Sequence, residues 1–128
     1  MQPPHVCNIS DLVLGVVYHE SGAEPYEGQV AVAQTIYESS RATGLSPEEI
    51  VTAKNAYADP KPIDQVSDSI RQACHQVFCE HKGISEQPIR YFYSTAGGFY
   101  SQWHETSPNL EYVTTIGAHK FYKLKGDV

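Results

Sequence analysis

Glu20-Ser21-Gly22-Ala23-Glu24-Pro25-Tyr26-Glu27-Gly28-Gln29-Val30-Ala31-Val32-Ala33 joins the end of one helical pattern to the start of another. Upstream, Leu12, Val13, Val16 and Val17 recur at helical spacing. Asn8 is the expected N-cap of that helix, with Asp11 three residues on in a box-like position. Gly22 is the expected stop, so Glu20 falls in or just past the last turn. Downstream, the spacing predicts a helix over about 27–42. Its apolar side is Val30, Ala33 and Tyr37, widened by Val32 and Ile36, and Gly44 ends it.

Ser46-Pro47-Glu48-Glu49 reads as the start of a short third helix: Ser cap, Pro first, Glu third. Residues 55–64 hold Pro60 and Pro62 and read as a loop. A fourth helix is expected over roughly 66–80, with Ile70, Ala73, Cys74, Val77 and Phe78 inward and Gly83 closing it. The texture then changes. Residues 89–93 and 112–116 are β-branched and aromatic and read as strands. Gly97-Gly98 reads as a turn, and Gly117 breaks the second strand. The expected fold class is α+β, mostly helical, with a small antiparallel element toward the C-terminal end.

Glu20 is the first candidate for chemistry. A carboxylate at a helix C-terminus meets the negative end of the helix dipole. With partial desolvation, both effects favour the neutral acid, as a glycosidase requires of its proton donor. The bland alternative is a surface residue before a turn.

The neighbouring residues decide between these. The stretch from Glu20 to Ala33 resembles the signature of the spore cortex-lytic and cell-wall hydrolase family, a Glu ending one helix and then GEPYEGQVAVA opening the next. Ala23 stands where that family has Gly. Thr115-Ile116-Gly117-Ala118-His119-Lys120-Phe121 resembles its TIGxHxF motif. Tyr91-Phe92-Tyr93-Ser94 resembles its Tyr-rich strand, and Trp103 fits a Trp that follows. The likeness runs over about 12–122. It departs at Glu38 and Ser39, where the family usually has Asn-Arg. The resemblance implies a lysozyme-like fold and lytic transglycosylation of peptidoglycan. Glu20 would protonate the oxygen between N-acetylmuramic acid and N-acetylglucosamine, then take the proton of the muramic C6 hydroxyl as it closes on C1. No second carboxylate is required, unlike the usual two-carboxylate scheme.

Glu24 and Glu27 begin the second helix, where the dipole favours a charged carboxylate. The plain reading is helix-start stabilisation, with Glu27 also a candidate to support the oxocarbenium charge. Glu105 follows His104 in an expected loop and reads as solvated. Nine tyrosines and one tryptophan are many for this length. Sugar faces stack on such rings. Half of the loop and strand aromatics are expected in the core. Tyr57, Tyr93 and Trp103 are the candidates for the cleft, joined from the motifs by Ser94 and His119. Strand alternation puts Tyr91 beside Tyr93 on one face.

Six histidines raise the question of metal. No HExxH is present, and Cys74, His75, Cys79 and His81 match no common zinc spacing, so neither metal nor cofactor is expected. The three cysteines, Cys7, Cys74 and Cys79, read as buried free thiols. Cys74 and Cys79, five apart on a helix, point to different faces.

The 128 residues suit one domain, 1–128, able to bury about two-thirds of the unfolded surface. A hydrophobic fraction of 41% excludes disorder. The net charge of −6, with no basic cluster, argues against nucleic acid. No apolar run approaches the roughly 20 residues of a membrane span. Residues 1–10, MQPPHVCNIS, lack the n- and h-regions of a signal peptide. Export by another route, or from a longer precursor, is expected, with action at the cell wall or spore cortex. No wall-binding repeat is evident, so targeting falls to another segment, a partner protein or the cleft itself. A monomer is the default. The leading function is lytic transglycosylation. Its rivals are a muramidase using the same Glu20, an N-acetylmuramoyl-L-alanine amidase, and a non-catalytic peptidoglycan-binding module.

Overall fold

The computed structural model describes residues 7–127. The leader reading rests largely on residues 1–6, which lie outside the described residues. The elements in order are α1 (Asp11–Ser21), α2 (Tyr26–Thr43), α3 (Pro47–Thr52), a 3-10 turn (Ile63–Gln65), α4 (Asp68–Phe78), β1 (Ile89–Ser94), a 3-10 turn (Ala96–Gly98), α5 (Gln102–Thr106), β2 (Leu110–Ile116) and β3 (His119–Leu124). This is the expected α+β arrangement, mostly helical.

Helix α2 is the hub and packs on α1, α3, α4 and β1. Residues 28–36 are all buried, so the helix is enclosed rather than one-sided. Small residues such as Ala31 and Ala33 let its neighbours come close. The enclosed polar groups are satisfied. The Gln34 amide donates to the Ser85 and Gln87 carbonyls and accepts from the Ile84 N–H at 2.8 Å. Gln29 donates to the Glu24 carbonyl at 3.2 Å and accepts from Ser69.

Helix α1 is capped by Ser10, not Asn8: the Ser10 hydroxyl accepts from the Val13 N–H at 3.3 Å and donates to Glu48 at 2.8 Å. Ser46 and Glu49 form the expected capping box of α3, and Gly44 ends α2 at φ 76°. Helix α4 is shorter than expected because Ser67 caps it and the helical run stops at Phe78.

The sheet has order β1-β3-β2, antiparallel throughout. Its central strand, β3, was read only as part of a motif, because Lys120 and Lys123 interrupt its apolar character. A bulge between Ile89 and Tyr91 reverses the alternation of β1. Ile89 and Phe92 therefore join the helical core, while Tyr91 and Tyr93 share the outer face as expected. A second bulge, between Tyr112 and Thr114, does the same for β2.

Cys7 and Cys79 are joined in a disulfide across a separation of 72 residues, and only Cys74 is a buried free thiol. The free-thiol reading is corrected for those two residues. No described helix is long and apolar enough to cross a membrane.

Candidate active site

Glu20 lies on the last turn of α1, half-buried, in a groove of about 460 Å³ shared with Glu24, Ser94 and His119. The 55–61 loop lies over α1 and fixes the carboxylate. The Ala58 N–H donates to Glu20 Oε1 at 2.7 Å. His19 Nδ1 meets the Asp59 carbonyl at 2.6 Å, and the Lys61 N–H donates to the Gly15 carbonyl at 3.1 Å. A β-carbon on Gly15 would stand 2.3 Å from the Lys61 carbonyl oxygen, so only glycine admits the loop here. A glycine inside a helix is costly, and that cost was the available signal for this unrecognised position.

The two motifs meet at this groove. Glu24 Oε1 accepts from the Ala118 N–H at 2.9 Å, 94 residues away in sequence. It also lies 3.2 Å from His119 Nδ1. The Gly117-Ala118 turn joins β2 to β3, with Ile116 paired to His119. Gly117, at φ 56°, supplies the left-handed position such a hairpin needs, and a side chain there would collide with the Glu24 carboxylate. Thr95, just past β1, clamps the same turn through its N–H and hydroxyl, both on the Ala118 carbonyl. Glu24 is therefore an anchor for the turn rather than a helix-start charge. Burial holds the His119 imidazole below the ordinary histidine value, against the opposing pull of Glu24 and Glu20.

A second groove, about 470 Å³, is lined by Tyr57, Tyr91, Phe92 and Trp103, with Ser39 and Arg90 at its polar side. A row of rings joins it to the Glu20 groove: Tyr57 to Phe92 at 6.0 Å, Phe92 to His119 at 5.1 Å. The Tyr57 hydroxyl lies 3.2 Å from Thr35 Oγ1 and donates to it, since Thr35 spends its own proton on the Val32 carbonyl. Burial, with a smaller push from Glu20, lifts the Tyr57 phenol to about 12. At the departure from the family pattern, Arg90 of β1 reaches Ser39 Oγ at 3.1 Å and Asp127 at 3.2 Å.

The grooves bring together Glu20, Ser94 and His119 on one side and Tyr57 and Trp103 on the other. Trp103 is 56% exposed and packs edge-on against Tyr91 at 5.6 Å. Tyr93 is only 7% exposed and lines neither groove; it packs among Phe99, His104 and Tyr122. Glu27 is exposed on the first turn of α2, outside both grooves. Residues 102–106 are α5 rather than a loop, capped by Ser101, and Glu105 is not free in solvent. It accepts from Tyr122 and from Lys120, and the Tyr122 hydrogen bond is the main cause holding it below the usual carboxylate range. Among the described residues, no three His, Cys, Asp or Glu side chains are grouped to hold a metal. Cys79 is spent in the disulfide, and burial lifts the Cys74 thiol to about 12, far from the thiolate a metal needs.

No family profile and no curated protein matches the chain. Solved structures do. The catalytic domain of the Bacillus cereus SleB protein aligns with a TM-score of 0.69 at 22% identity, over 88% of both chains. The catalytic domain of the germination-specific lytic transglycosylase SleB from Bacillus anthracis aligns with a TM-score of 0.69 at 21% identity, over 88% of this chain and 92% of that one. The lysozyme-like α+β fold expected from the resemblance is thus the fold observed.

Proposed function

We propose that this chain is a peptidoglycan-cleaving enzyme, a lytic transglycosylase that breaks the bond between N-acetylmuramic acid and N-acetylglucosamine with Glu20 as the acid. The observation that carries the reading is the Glu20 carboxylate itself. It is half-buried in an open groove and bonded through Oε1 alone among the described contacts, with the fold of two SleB catalytic domains around it. Oε2 is left for a glycosidic oxygen. Protonation there lets the leaving group depart through an oxocarbenium-like state. The ionised Glu20 then faces the positive centre, and in the one-carboxylate scheme the C6 hydroxyl closes on C1.

Tyr57 and Trp103 would hold sugar rings on one side of Glu20, with Ser94 and His119 on the other. Rings supply stacking area and hydroxyls supply direction. Described residues 7–127 would act as one catalytic unit at the wall or spore cortex, on peptidoglycan and with no cofactor. The Cys7–Cys79 disulfide suits an oxidising compartment such as the wall.

Mass spectrometry of soluble products from purified peptidoglycan tests this. Muropeptides ending in 1,6-anhydro-muramic acid are expected. Reducing ends, heavier by one water, would make the protein a muramidase with the same acid. Free stem peptides would make it an amidase, and no product from vegetative or cortex peptidoglycan would leave a binding module.

A further inference from the structure

Glu24 is a second carboxylate lining the Glu20 groove, and it is tied to the β2–β3 turn. Its Oε1 accepts from the Ala118 N–H at 2.9 Å and lies 3.2 Å from His119 Nδ1, and only a glycine at 117 leaves room for the carboxylate there. Its charge bears directly on the imidazole. His119 is 4% exposed. Among the described residues, its Nδ1 is the one fully buried side-chain atom with no properly aligned hydrogen bond. The approach to Glu24 is short but bent, a common state for catalytic hydrogen bonds before substrate arrives. A carboxylate facing Nδ1 favours the tautomer with the proton on that nitrogen, which leaves the Nε2 lone pair available. No described group bonds Nε2, and His119 is among the residues lining the groove. Phe92 at 5.1 Å and Phe121 at 6.1 Å, both edge-on, hold the ring plane.

We propose that His119, backed by Glu24, is a second catalytic group of this groove, whose Nε2 takes the proton of the hydroxyl attacking the glycosidic carbon. The inference rests on Glu20 being the acid in glycan cleavage and divides between two groups what the one-carboxylate scheme asks of one. As the C1–O bond breaks, its electron pair leaves with the glycosidic oxygen, which receives the Glu20 proton. The C6 hydroxyl oxygen gives a lone pair to C1, its O–H bond breaks, and the proton passes to Nε2. The imidazolium then returns that proton to Glu20, directly or through solvent. No water is consumed.

The charged and titratable groups that share the groove with His119 are Glu24 from the α1–α2 connection, Tyr18, His19 and Glu20 from α1, and Lys61 from the 55–61 loop. The pair of carboxylates favours the imidazolium, and burial opposes it. The base must be uncharged to work, so turnover should fall on the acid side as His119 gains a proton.

The test compares Glu20→Gln, His119→Gln and Glu24→Gln on purified peptidoglycan across pH, each checked by circular dichroism. For folded His119→Gln or Glu24→Gln, kcat should fall about 100-fold with KM little changed, and the acid limb of the profile should shift or vanish. A kcat within twofold of wild type with the same acid limb, or a rise in KM alone, would overturn the proposal. Glu20→Gln separates the two readings. If it stays active, the assignment of Glu20 as the acid fails; if it is inactive while the other two are normal, only the role of His119 fails. The wild-type protein gives a readout that needs no variant. Ring ¹⁵N chemical shifts of His119 should show Nδ1 protonated and Nε2 bare, and the opposite tautomer would overturn the proposal.

Discussion

The two grooves on either side of the Tyr57–Phe92–His119 row differ in kind. The Glu20 groove is walled by two carboxylates, two imidazoles, Lys61 and the hydroxyl residues Tyr18, Ser21 and Ser94, and its geometry is fixed by backbone N–H groups from a loop and a hairpin turn. The Tyr57–Trp103 groove is walled mainly by rings and aliphatic side chains, with one cation at its edge. On the proposed reading the first moves protons and the second holds a surface. Reaction and grip then draw mainly on different elements, α1 with the α1–α2 connection and the β2–β3 turn in one case and α2, α3 and α5 in the other, while β1 and the 55–61 loop lend residues to both. A substitution can therefore strike one and leave the other.

The sharpest break is Glu20→Gln. It keeps the shape and the Ala58 hydrogen bond but removes the acid. We expect kcat to drop by about 10³-fold or more, with binding of undigested glycan nearly unchanged in a pull-down on insoluble peptidoglycan. Loss of binding together with loss of turnover would show that the two grooves are not separable.

The place of Glu20 on the last turn of α1 was legible because a helix stop and a long motif coincide there. Glu24 was misread because dipole reasoning looks only along its own helix, while its partner Ala118 is 94 residues away. The same blindness to distant partners hid the Cys7–Cys79 disulfide behind an odd cysteine count. Strand β3 was missed because a sheet face that meets solvent takes lysine, and α5 because one helical turn carries too little periodicity to register. The bulges in β1 and β2 reverse alternation without any Gly or Pro to mark them. Tyr93 thus ended on the expected face, but that face is closed over by Phe99, His104 and Tyr122.

The 55–61 loop borders both grooves, so it is where they should fail together. Gly15→Ala forces the added methyl against the Lys61 carbonyl and pushes the loop off α1. Overpacking of this kind costs about 2 kcal/mol. We expect a lower melting temperature, a reduced kcat through the lost Ala58–Glu20 hydrogen bond, and a raised KM through Tyr57. A variant in which only one kinetic constant moves would show that the loop serves one groove alone.

Reduction of Cys7–Cys79 probes the reverse case. The bridge ends at the C-cap of α4, and neither cysteine lines either groove. By constraining the unfolded chain it should stabilise the fold by about 2–4 kcal/mol, and losing it should lower Tm by roughly 10 °C. Both kinetic constants, measured well below that temperature, should hold. If reduction instead changes KM, the helical body and the aromatic groove are mechanically linked.

Trp103→Ala should give the smallest effect and isolates the grip. The indole is mostly exposed and its described ring contacts are with Tyr91 and His104, so truncation should change stability by no more than about 0.5 kcal/mol. A stacked sugar ring would lose roughly 1 kcal/mol, a several-fold rise in KM, while kcat holds because no proton moves at this site. Isothermal titration with a soluble glycan fragment and Glu20→Gln protein reads the same loss without turnover. A fall in kcat instead would mean that Trp103 aligns the reacting bond, and the division between a groove that reacts and a groove that holds would give way to a single continuous site.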